Sequence, residues 1–260
     1  MKIFSTAILL LALHAACANL EKFHAGGVEF VCRAPARLKE NSGVMVLFGG
    51  RNWDAEKTIK TFNFDALADK HCLVLLSPSF KDKEYWQPEK WSGEVLKLAL
   101  GFVEKKYALK SKKILFYGYS AGGQCANLFY NYMPEHVAAW GLHACGVYPE
   151  NPLKNAAPAF VTCGVNDADR VRISKNFIYK YREGGGRLIL KLYAGGHELN
   201  QEALNFARQF FCDTIEKKEA KCVGEDDTER IVDIDKAGEI DREFRNYLTS
   251  DAMKKLWAEE

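Results

Sequence analysis

Residues 112–128, KKILFYGYSAGGQCANL, decide the fold of this chain. Residues 114–117 form a short run of apolar, β-prone side chains, and residues 124–132 have the composition of a helix. The pentapeptide GYSAG at residues 118–122 lies between them, and its glycines suit a turn in which strand and helix backbones approach each other closely. The segment therefore predicts a buried strand and a helix joined by a sharp turn that exposes the hydroxyl of Ser120.

The serine in this turn is a candidate nucleophile. A hydroxyl held between a strand end and a helix N-terminus is accessible, and the positive end of the helix dipole favours negative charge that develops beside it. The pattern G-x-S-x-G also occurs by chance in unrelated chains, so the pentapeptide alone is a modest signal. The strand before it and the helix after it strengthen the functional interpretation of Ser120.

Two later strand ends carry the residue types that a nucleophilic serine needs. The predicted strand 159–163 is followed by GVND, which ends at Asp167, and the predicted strand 188–193 is followed by AGGH, which ends at His197. A serine hydroxyl needs a base, which an imidazole provides once a carboxylate orients it. The carboxyl ends of parallel strands meet at one edge of a sheet, so we expect both side chains to lie near Ser120.

Strands and helices alternate along the chain, whose 260 residues suit one α/β domain. Continuous apolar strands joined by crossover helices indicate a mainly parallel central sheet with helices on both faces. Strands are predicted at residues 28–33, 44–48, 72–76, 114–117, 137–142, 159–163 and 188–193. Helices are predicted at residues 55–70, 94–107, 124–132, 169–182 and 198–211.

With these motifs in the order nucleophile, acid, histidine, residues 28–211 resemble the α/β-hydrolase superfamily. The chain is most similar to compact secreted esterases of the polyhydroxybutyrate-depolymerase-like and feruloyl-esterase-like kind. The resemblance implies the α/β-hydrolase fold, with Ser120, Asp167 and His197 as a catalytic triad and with no cofactor. Asp169 is an alternative for the acid, although Asp167 lies nearer the strand end, where the family has this residue.

The family also has a loop after an early strand that donates one oxyanion-hole N–H, often with the pattern His-Gly-x. Here the loop is FGGRNW at residues 48–53, and Phe48 stands in the place of the histidine, so the match is partial. The resemblance implies the backbone N–H groups of Gly50 and Ala121 as the oxyanion hole. Arg51 is an alternative to Gly50, because the sequence does not decide a shift of one residue.

The connection between the predicted strands 137–142 and 159–163 is too short for a large lid domain, which argues against a lipase that opens at oil surfaces. We therefore expect loops to line the substrate site. The segment KEYWQPEKWSG at residues 83–93 predicts an aromatic shelf for a sugar or phenolic group, with packing on the body as the alternative. The candidate substrate-binding residues are Arg51, Trp53, Trp86 and His143, with Tyr85, Trp91 and Tyr148 as further candidates.

Residues 1–18, MKIFSTAILLLALHAACA, have the pattern of a secretory signal peptide. A basic start precedes an apolar run at residues 7–13, and ACA at residues 16–18 is a small-x-small cleavage site. The apolar run is too short to span a bilayer as a stable helix. We expect cleavage after Ala18 and a secreted or periplasmic protein with no stable membrane span. A lipoprotein signal with Cys17 as the lipidated residue is the alternative.

The segment 213–260 differs in charge from residues 19–212, which we interpret as the α/β-hydrolase domain. It contains 15 acidic and 9 basic residues, a net charge of −6 in a chain whose total is +2. Opposite charge and large apolar side chains such as Trp257 favour an acidic C-terminal extension packed on the domain, with a solvated polar appendage as the alternative. A small edge strand is predicted at residues 230–234 and short helices at residues 236–248 and 251–257.

The net charge and the cysteines indicate which partners, disulfides and metals to expect. A net charge of +2 gives no reason to expect nucleic acid. Of the 8 cysteines, Cys17 lies in the predicted signal peptide, so an odd number remains and at least one thiol is unpaired. Cys212 and Cys222 flank a polar segment and are the candidates for a disulfide in an oxidising compartment. No Cys/His pattern in the sequence has the spacing of a zinc site, so no metal is expected.

The sequence therefore favours a serine esterase that acts on small or carbohydrate-linked carboxylic esters through an acyl-enzyme. A serine peptidase or amidase of the same fold is the alternative, because the triad does not separate an ester from an amide. A non-catalytic binding protein is the third interpretation, and the complete Ser, Asp and His set argues against it.

Overall fold

The computed structural model describes residues 20–81, 84–110, 113–151, 153, 157–228 and 230–258. The predicted signal peptide, with Cys17 and Ala18, lies outside the described residues. Within the described ranges, no helix is both long and apolar enough to cross a membrane.

An eight-stranded sheet forms the centre of the molecule. Its strands are β1 Glu21–Ala25, β2 Val28–Arg33, β3 Val44–Phe48, β4 Val74–Pro78, β5 Ile114–Tyr119, β6 Val137–His143, β7 Ala159–Gly164 and β8 Leu188–Tyr193. The order across the sheet is β1-β2-β4-β3-β5-β6-β7-β8. The strands from β4 to β8 in this order are parallel, whereas β1 and β2 pair antiparallel with their neighbours. The predicted mainly parallel sheet is confirmed, and β1 is an addition to it.

Helices cover both faces of the sheet, as predicted. They are α1 Ala55–Phe62, α2 Asp65–His71, α3 Gly93–Tyr107, α4 Ala121–Tyr132, α5 Ala168–Glu183 and α6 Gln201–Ile215. The prediction of one helix over residues 55–70 is wrong, because Asn63 takes a left-handed conformation (φ 49°) and ends α1. Asparagine tolerates this conformation better than most residues, and the chain turns there before α2 begins.

The strands divide the apolar side chains into two cores, one on each face of the sheet. On β3, Val44, Val46 and Phe48 face the core that α3, α4 and α5 cover. Met45 and Leu47 face the other core, which α1, α2 and α6 cover. All five side chains are buried, because a parallel strand in the middle of such a sheet meets helices on both sides.

The connection between β6 and β7 is short, and its described residues form no helix or strand. Together with the sheet order and the two helical layers, this gives an α/β-hydrolase fold without a large separate lid. The carboxyl ends of β5, β6, β7 and β8 are therefore not covered by an inserted domain.

The C-terminal segment forms a small antiparallel sheet and a helix. Its elements are β9 Cys222–Glu225, β10 Ile231–Asp233, β11 Arg245–Leu248 and α7 Asp251–Ala258, and the strand order is β10-β9-β11. The predicted helix over residues 236–248 is wrong: two short 3₁₀ turns lead into β11. Burial alternates along β11, with Asn246 and Leu248 inside, which is the period of a strand and not of a helix.

This segment covers the edge of the main sheet at β8, the last strand in the order. The backbone N–H of Leu190 donates to Asn246 Oδ1 across 2.7 Å, and Trp257 Nε1 donates to the Leu190 carbonyl across 2.8 Å. The Arg182 guanidinium donates to Asn246 Oδ1 (2.8 Å) and forms a buried ion pair with Asp226 (2.6 Å). Side chains thus satisfy backbone groups that an edge strand otherwise leaves open.

The predicted disulfide between Cys212 and Cys222 is absent, since all seven cysteines within the described ranges are free thiols. Cys222 is buried on β9, while Cys212 lies on α6 beside Lys70 and Glu216. The polar residues between the two cysteines lead into β9, where Cys222 is buried in the small sheet.

Candidate active site

Ser120 occupies the tight turn between β5 and α4. Its backbone is strained, with φ 55° and ψ −117°, a conformation that non-glycine residues rarely adopt. A Cβ atom on Gly118 would overlap the carbonyl of Gly122, and a Cβ on Gly122 would overlap the carbonyls of Phe48 and Gly49. Only glycine fits at both positions, so the GYSAG sequence is what permits the turn.

Three side chains from three strand ends form one chain of hydrogen bonds at this edge of the sheet. Ser120 Oγ lies 2.9 Å from His197 Nε2. His197 Nδ1 lies 2.6 Å from Asp167 Oδ2. The carboxylate can only accept, so Nδ1 carries a proton and donates it, which leaves the lone pair of Nε2 facing the serine hydroxyl. This tautomer is the one in which the imidazole can take a proton from Ser120.

Asp167 and Asp169 differ sharply in their surroundings. The Asp167 side chain is buried at the start of α5, and Arg170 Nη1 lies 3.3 Å from its second carboxylate oxygen. The Asp169 side chain is 78% exposed and pairs with Arg172 one turn further along the same helix. Of the two carboxylates considered in the sequence, only Asp167 contacts the imidazole.

Three side chains hold the backbone of the loop that carries His197. The Tyr119 hydroxyl donates to the His197 carbonyl across 3.0 Å, and burial raises the pKa of this phenol, so it remains a donor. The next carbonyl, that of Glu198, accepts from His143 Nε2 across 2.7 Å. Glu198 also accepts from the Gly196 N–H through Oε1 at 3.0 Å. The imidazole of His197 is therefore carried by a braced backbone and not by a free loop.

His143 is not a substrate-binding residue, contrary to the sequence prediction. Its side chain is fully buried at the end of β6, below the loop of His197. Burial lowers the pKa of His143 to about 4, so the imidazole is neutral. Nε2 donates to the Glu198 carbonyl, and Nδ1 accepts from the Thr162 hydroxyl at 2.7 Å. Both ring nitrogens are occupied, which leaves no group for a ligand. The predicted strand 137–142 ends just before His143, but the sequence analysis identified neither the contact of His143 with the loop nor that of Tyr119.

The predicted oxyanion loop passes against the start of α4. The carbonyls of Phe48 and Gly49 lie directly over Gly122, and the Cα of Gly50 lies against the rings of Trp53 and Tyr119. The loop backbone therefore runs against Tyr119 and Gly122, the residues that flank Ser120 and Ala121 in the sequence. The assignment of the Gly50 and Ala121 N–H groups, with Arg51 as the alternative, stays a prediction; the Arg51 side chain itself is exposed.

The aromatic segment after β4 packs mainly as core. Tyr85 is buried, and its ring stacks on Phe80 at 5.8 Å between centroids. Trp86 is half-buried with its ring edge-on to Tyr85, and Trp91 packs edge-on against Phe80. The alternative of packing on the body describes Tyr85 and Trp91 better than a substrate shelf does.

Of the aromatic residues predicted to bind substrate, Trp53 packs against Tyr119, the residue before Ser120. Its ring is half-buried and contacts Tyr119 at 5.7 Å between centroids, and Lys57 Nζ lies 4.4 Å from its centre. A small cavity of about 10 Å³ is lined by Gly50 and Trp53 on one side and by apolar residues on the other: Phe48, Gly49, Pro78, Phe80, Tyr85 and Cys125.

Tyr148, a further candidate for substrate binding, stacks on Phe177, and its hydroxyl is hydrogen-bonded to Ser174 Oγ (2.8 Å).

Comparison with known proteins supports the fold. No protein-family model and no curated protein sequence matches the chain. Among solved structures, poly(aspartic acid) hydrolase-1 from Sphingomonas sp. KT-1 is similar with a TM-score of 0.58 at 15% identity, over 74% of this chain and 98% of that one. S-formylglutathione hydrolase FrmB from Staphylococcus aureus gives 0.59 at 13% identity, over 77% and 95%. The poly(3-hydroxybutyrate) depolymerase LpqC from Bordetella parapertussis gives 0.57 at 13% identity, over 85% and 94%. These likenesses extend over most of each protein and identify the α/β-hydrolase fold.

Proposed function

We propose that this α/β-hydrolase-fold protein is a serine hydrolase that cleaves carboxylic esters through a covalent acyl-enzyme on Ser120. The observation that carries the proposal is the unbroken chain of hydrogen bonds from Ser120 through His197 to Asp167. A strained serine between a strand and a helix, a base within hydrogen-bond reach and a buried carboxylate behind that base are what acyl transfer requires.

In the first half of the reaction, Ser120 Oγ attacks the ester carbonyl carbon while its proton passes to His197 Nε2. The imidazolium that results is stabilised by Asp167, whose carboxylate accepts from Nδ1. Collapse of the tetrahedral intermediate breaks the bond to the alcohol oxygen, which takes the proton from Nε2 and leaves. The acyl group remains on Ser120.

In the second half, water takes the place of the alcohol. His197 removes a proton from the water, whose oxygen attacks the acyl carbon, and Ser120 recovers its proton when the acid departs. In both tetrahedral intermediates, the negative oxygen is proposed to accept from the N–H groups of Gly50 and Ala121. Donors fixed in the backbone need no reorganisation when that charge forms.

Small or carbohydrate-linked esters are the proposed substrates. The absence of a large lid leaves the strand ends open to molecules that present an ester in solution. Arg51, exposed on the loop of Gly50, and Trp86 are proposed to contact the alcohol portion. The poly(3-hydroxybutyrate) depolymerase and S-formylglutathione hydrolase among the similar structures are named for ester-type substrates, which supports the class.

Amide hydrolysis is the competing function, because a triad attacks both kinds of carbonyl. The similar poly(aspartic acid) hydrolase is named for a substrate whose units are joined by amide bonds. A panel of p-nitrophenyl esters, feruloyl esters, acetylated sugars and aminoacyl anilides separates the two. Turnover of anilides at rates comparable to the esters would replace the esterase proposal by the peptidase one.

The test of the nucleophile uses a fluorophosphonate probe followed by mass spectrometry. We expect one labelled serine, Ser120, and loss of both label and activity in Ser120→Ala, with kcat lowered by about 10³-fold or more. A label on another serine, or active protein that takes no label, would contradict the proposal.

The site of action is proposed to be outside the cytoplasm, on the signal-peptide pattern of residues 1–18. Intact-mass and N-terminal sequencing of the protein exported by its own cells should give a chain beginning after Ala18. A diacylglycerol-modified Cys17 at the N-terminus would instead identify a lipoprotein.

A further inference from the structure

Three side chains of metal-ligating type converge where the ends of α2 and α6 meet, away from Ser120. They are His71, Cys212 and Glu216, and one ligand atom from each lies within 4.8 Å of the others. Glu216 Oε1 lies 3.4 Å from Cys212 Sγ and 3.8 Å from His71 Nε2. The cluster thus offers one nitrogen, one sulfur and one oxygen atom around a common point.

The fold explains why this group is assembled. Cys212 and Glu216 are four residues apart at the end of α6, so they share one face of the helix. His71 is the last residue of α2, which packs beside α6. His71 is distant in the sequence from Cys212 and Glu216, so no Cys/His spacing pattern could reveal the group.

His71 supplies an independent indication of a missing partner. Its side chain is only 9% exposed, and Nε2 is buried without a hydrogen bond to any of the described residues. A buried polar nitrogen normally has a partner, because desolvation without one is costly. The unpartnered nitrogen faces the carboxylate oxygen of Glu216 at a distance too long for a hydrogen bond and suited to an atom placed between them.

The cluster already attracts a cation in the form of Lys70. Its ammonium nitrogen lies 2.7 Å from Glu216 Oε1 and 3.2 Å from Cys212 Sγ. The Lys70 side chain is 58% exposed, so it can withdraw into solvent. Lys218 holds the other oxygen, Oε2 of Glu216, at 3.0 Å, which leaves Oε1 directed at the cluster. The negative ends of two helix dipoles add to the attraction.

We propose that His71, Cys212 and Glu216 bind a divalent ion of the zinc class, with Lys70 as the competing cation. Imidazole nitrogen, thiolate sulfur and carboxylate oxygen are zinc ligands, and three protein ligands leave a fourth position for water. Calcium and magnesium prefer all-oxygen ligands, so the sulfur and nitrogen select a softer ion. On binding, the Cys212 thiol releases its proton to solvent and the Lys70 ammonium leaves the cluster. The ion would then link α2 to α6.

The experiment is a Co²⁺ titration of the chelator-treated, purified chain. We expect a thiolate-to-cobalt charge-transfer band that saturates at one ion per chain and disappears when Zn²⁺ is added. Cys212→Ser should lose the band. His71→Gln and Glu216→Gln should weaken binding by more than the roughly 10- to 100-fold that loss of an outer partner costs. Cys72→Ser, which alters the neighbouring cysteine outside the cluster, is the matched control and should bind as the natural chain does.

Lys70→Gln tests the competition directly. Without the ammonium, Co²⁺ should bind more tightly, and Zn²⁺ should raise the melting temperature by more than it does in the natural chain. Equal binding by the natural chain and Cys212→Ser, or no saturable band at all, would overturn the proposal. If Cys212→Ser does not fold, alkylation of the natural chain decides: Zn²⁺ should protect Cys212 but not Cys72 from iodoacetamide, and equal modification of both would refute the site.

Discussion

The imidazole of His143 donates to the Glu198 carbonyl across 2.7 Å and so joins the end of β6 to the residue that follows His197. Together with the bond from the Tyr119 hydroxyl to the His197 carbonyl, it fixes two consecutive carbonyls of the loop. His143 does not contact Ser120 or a substrate. Its effect on the reaction must pass through the position of the His197 ring.

Removal of this contact should lower turnover. In His143→Phe the Glu198 carbonyl loses its hydrogen-bond donor, so the loop is free to shift. We expect kcat for a p-nitrophenyl ester to fall by about 10- to 100-fold with little change in KM, because a displacement near 1 Å costs this much in rate. His143→Gln retains a donor and should recover part of the loss. A folded Phe variant with unchanged kcat would exclude a positioning role.

The free energy of unfolding should decrease as the pH is lowered, because of the same histidine. Burial holds the pKa of His143 at about 4, against an ordinary 6.5. Between these values the unfolded chain binds the proton and the folded chain does not, so the stability contributed by neutral His143 is complete above pH 6.5 and is lost as the pH falls toward 4. The loss is about 3 kcal/mol. The free energy of unfolding, measured by urea denaturation at several pH values in this range, should depend less steeply on pH for His143→Gln than for the natural chain. Equal pH dependence would contradict the prediction.

The two carboxylates of the GVNDAD segment should respond very differently to the same substitution. Asp167→Asn removes the acceptor that fixes the proton on His197 Nδ1, and kcat should fall by about 10³-fold or more. Asp169→Asn alters only an exposed ion pair with Arg172 and should change kcat less than about twofold. Steady-state kinetics on one ester measures both. A larger loss of kcat in the Asp169 variant would assign to Asp169 the role of orienting the His197 imidazole.

Two glycine substitutions should have opposite effects. Gly122→Ala places a methyl group into the carbonyls of Phe48 and Gly49 and should prevent folding or abolish probe labelling. Gly101→Ala, in α3, meets no atom within 4 Å and should stabilise the protein by about 0.5–1 kcal/mol through helix propensity. Thermal unfolding and soluble yield test the pair. Normal folding and labelling of Gly122→Ala would show that the turn between β5 and α4 can relax to admit the methyl group.

The C-terminal segment should contribute strongly to stability. Trp257 is buried and bonds Leu190, so Trp257→Ala should lower the free energy of unfolding by about 3–5 kcal/mol. Lys254→Ala, on the exposed side of the same helix, should stay within about 0.5 kcal/mol of the natural chain. Chemical denaturation provides both values. Similar values for the two variants would mean that the segment is an appendage.

Much of the fold could be predicted because its strands are continuous apolar runs, such as Ile114 to Tyr117, that are long enough to be distinct from their neighbours. Local patterns failed where tertiary contacts decide. β11 is a strand because it pairs with β9, and a segment of four residues is too short for its sequence pattern to predict that pairing. The break at Asn63 depends on one backbone angle.

The candidate site could be predicted only in part. Sheet topology brings the ends of β5, β7 and β8 together, so the proximity of Ser120, Asp167 and His197 follows from strand order. The bracing by Tyr119 and the cluster at Cys212 depend on side-chain directions and helix packing, which the sequence does not specify. His143 shows the limit: its position at the sheet edge was predictable, and its burial was not.

The pairing of Leu190 with Asn246 and Trp257 has a consequence for the order of folding. Leu190 and Trp257 are 67 residues apart in the chain, so β8 cannot have its outer backbone groups satisfied while α7 is still unmade. A chain in which the strands that carry Ser120, Asp167 and His197 are formed but the C-terminal segment is not docked has an open strand edge, which is able to pair with a strand of another molecule. The C-terminal segment closes that edge and so removes the site at which two copies could pair through their strands.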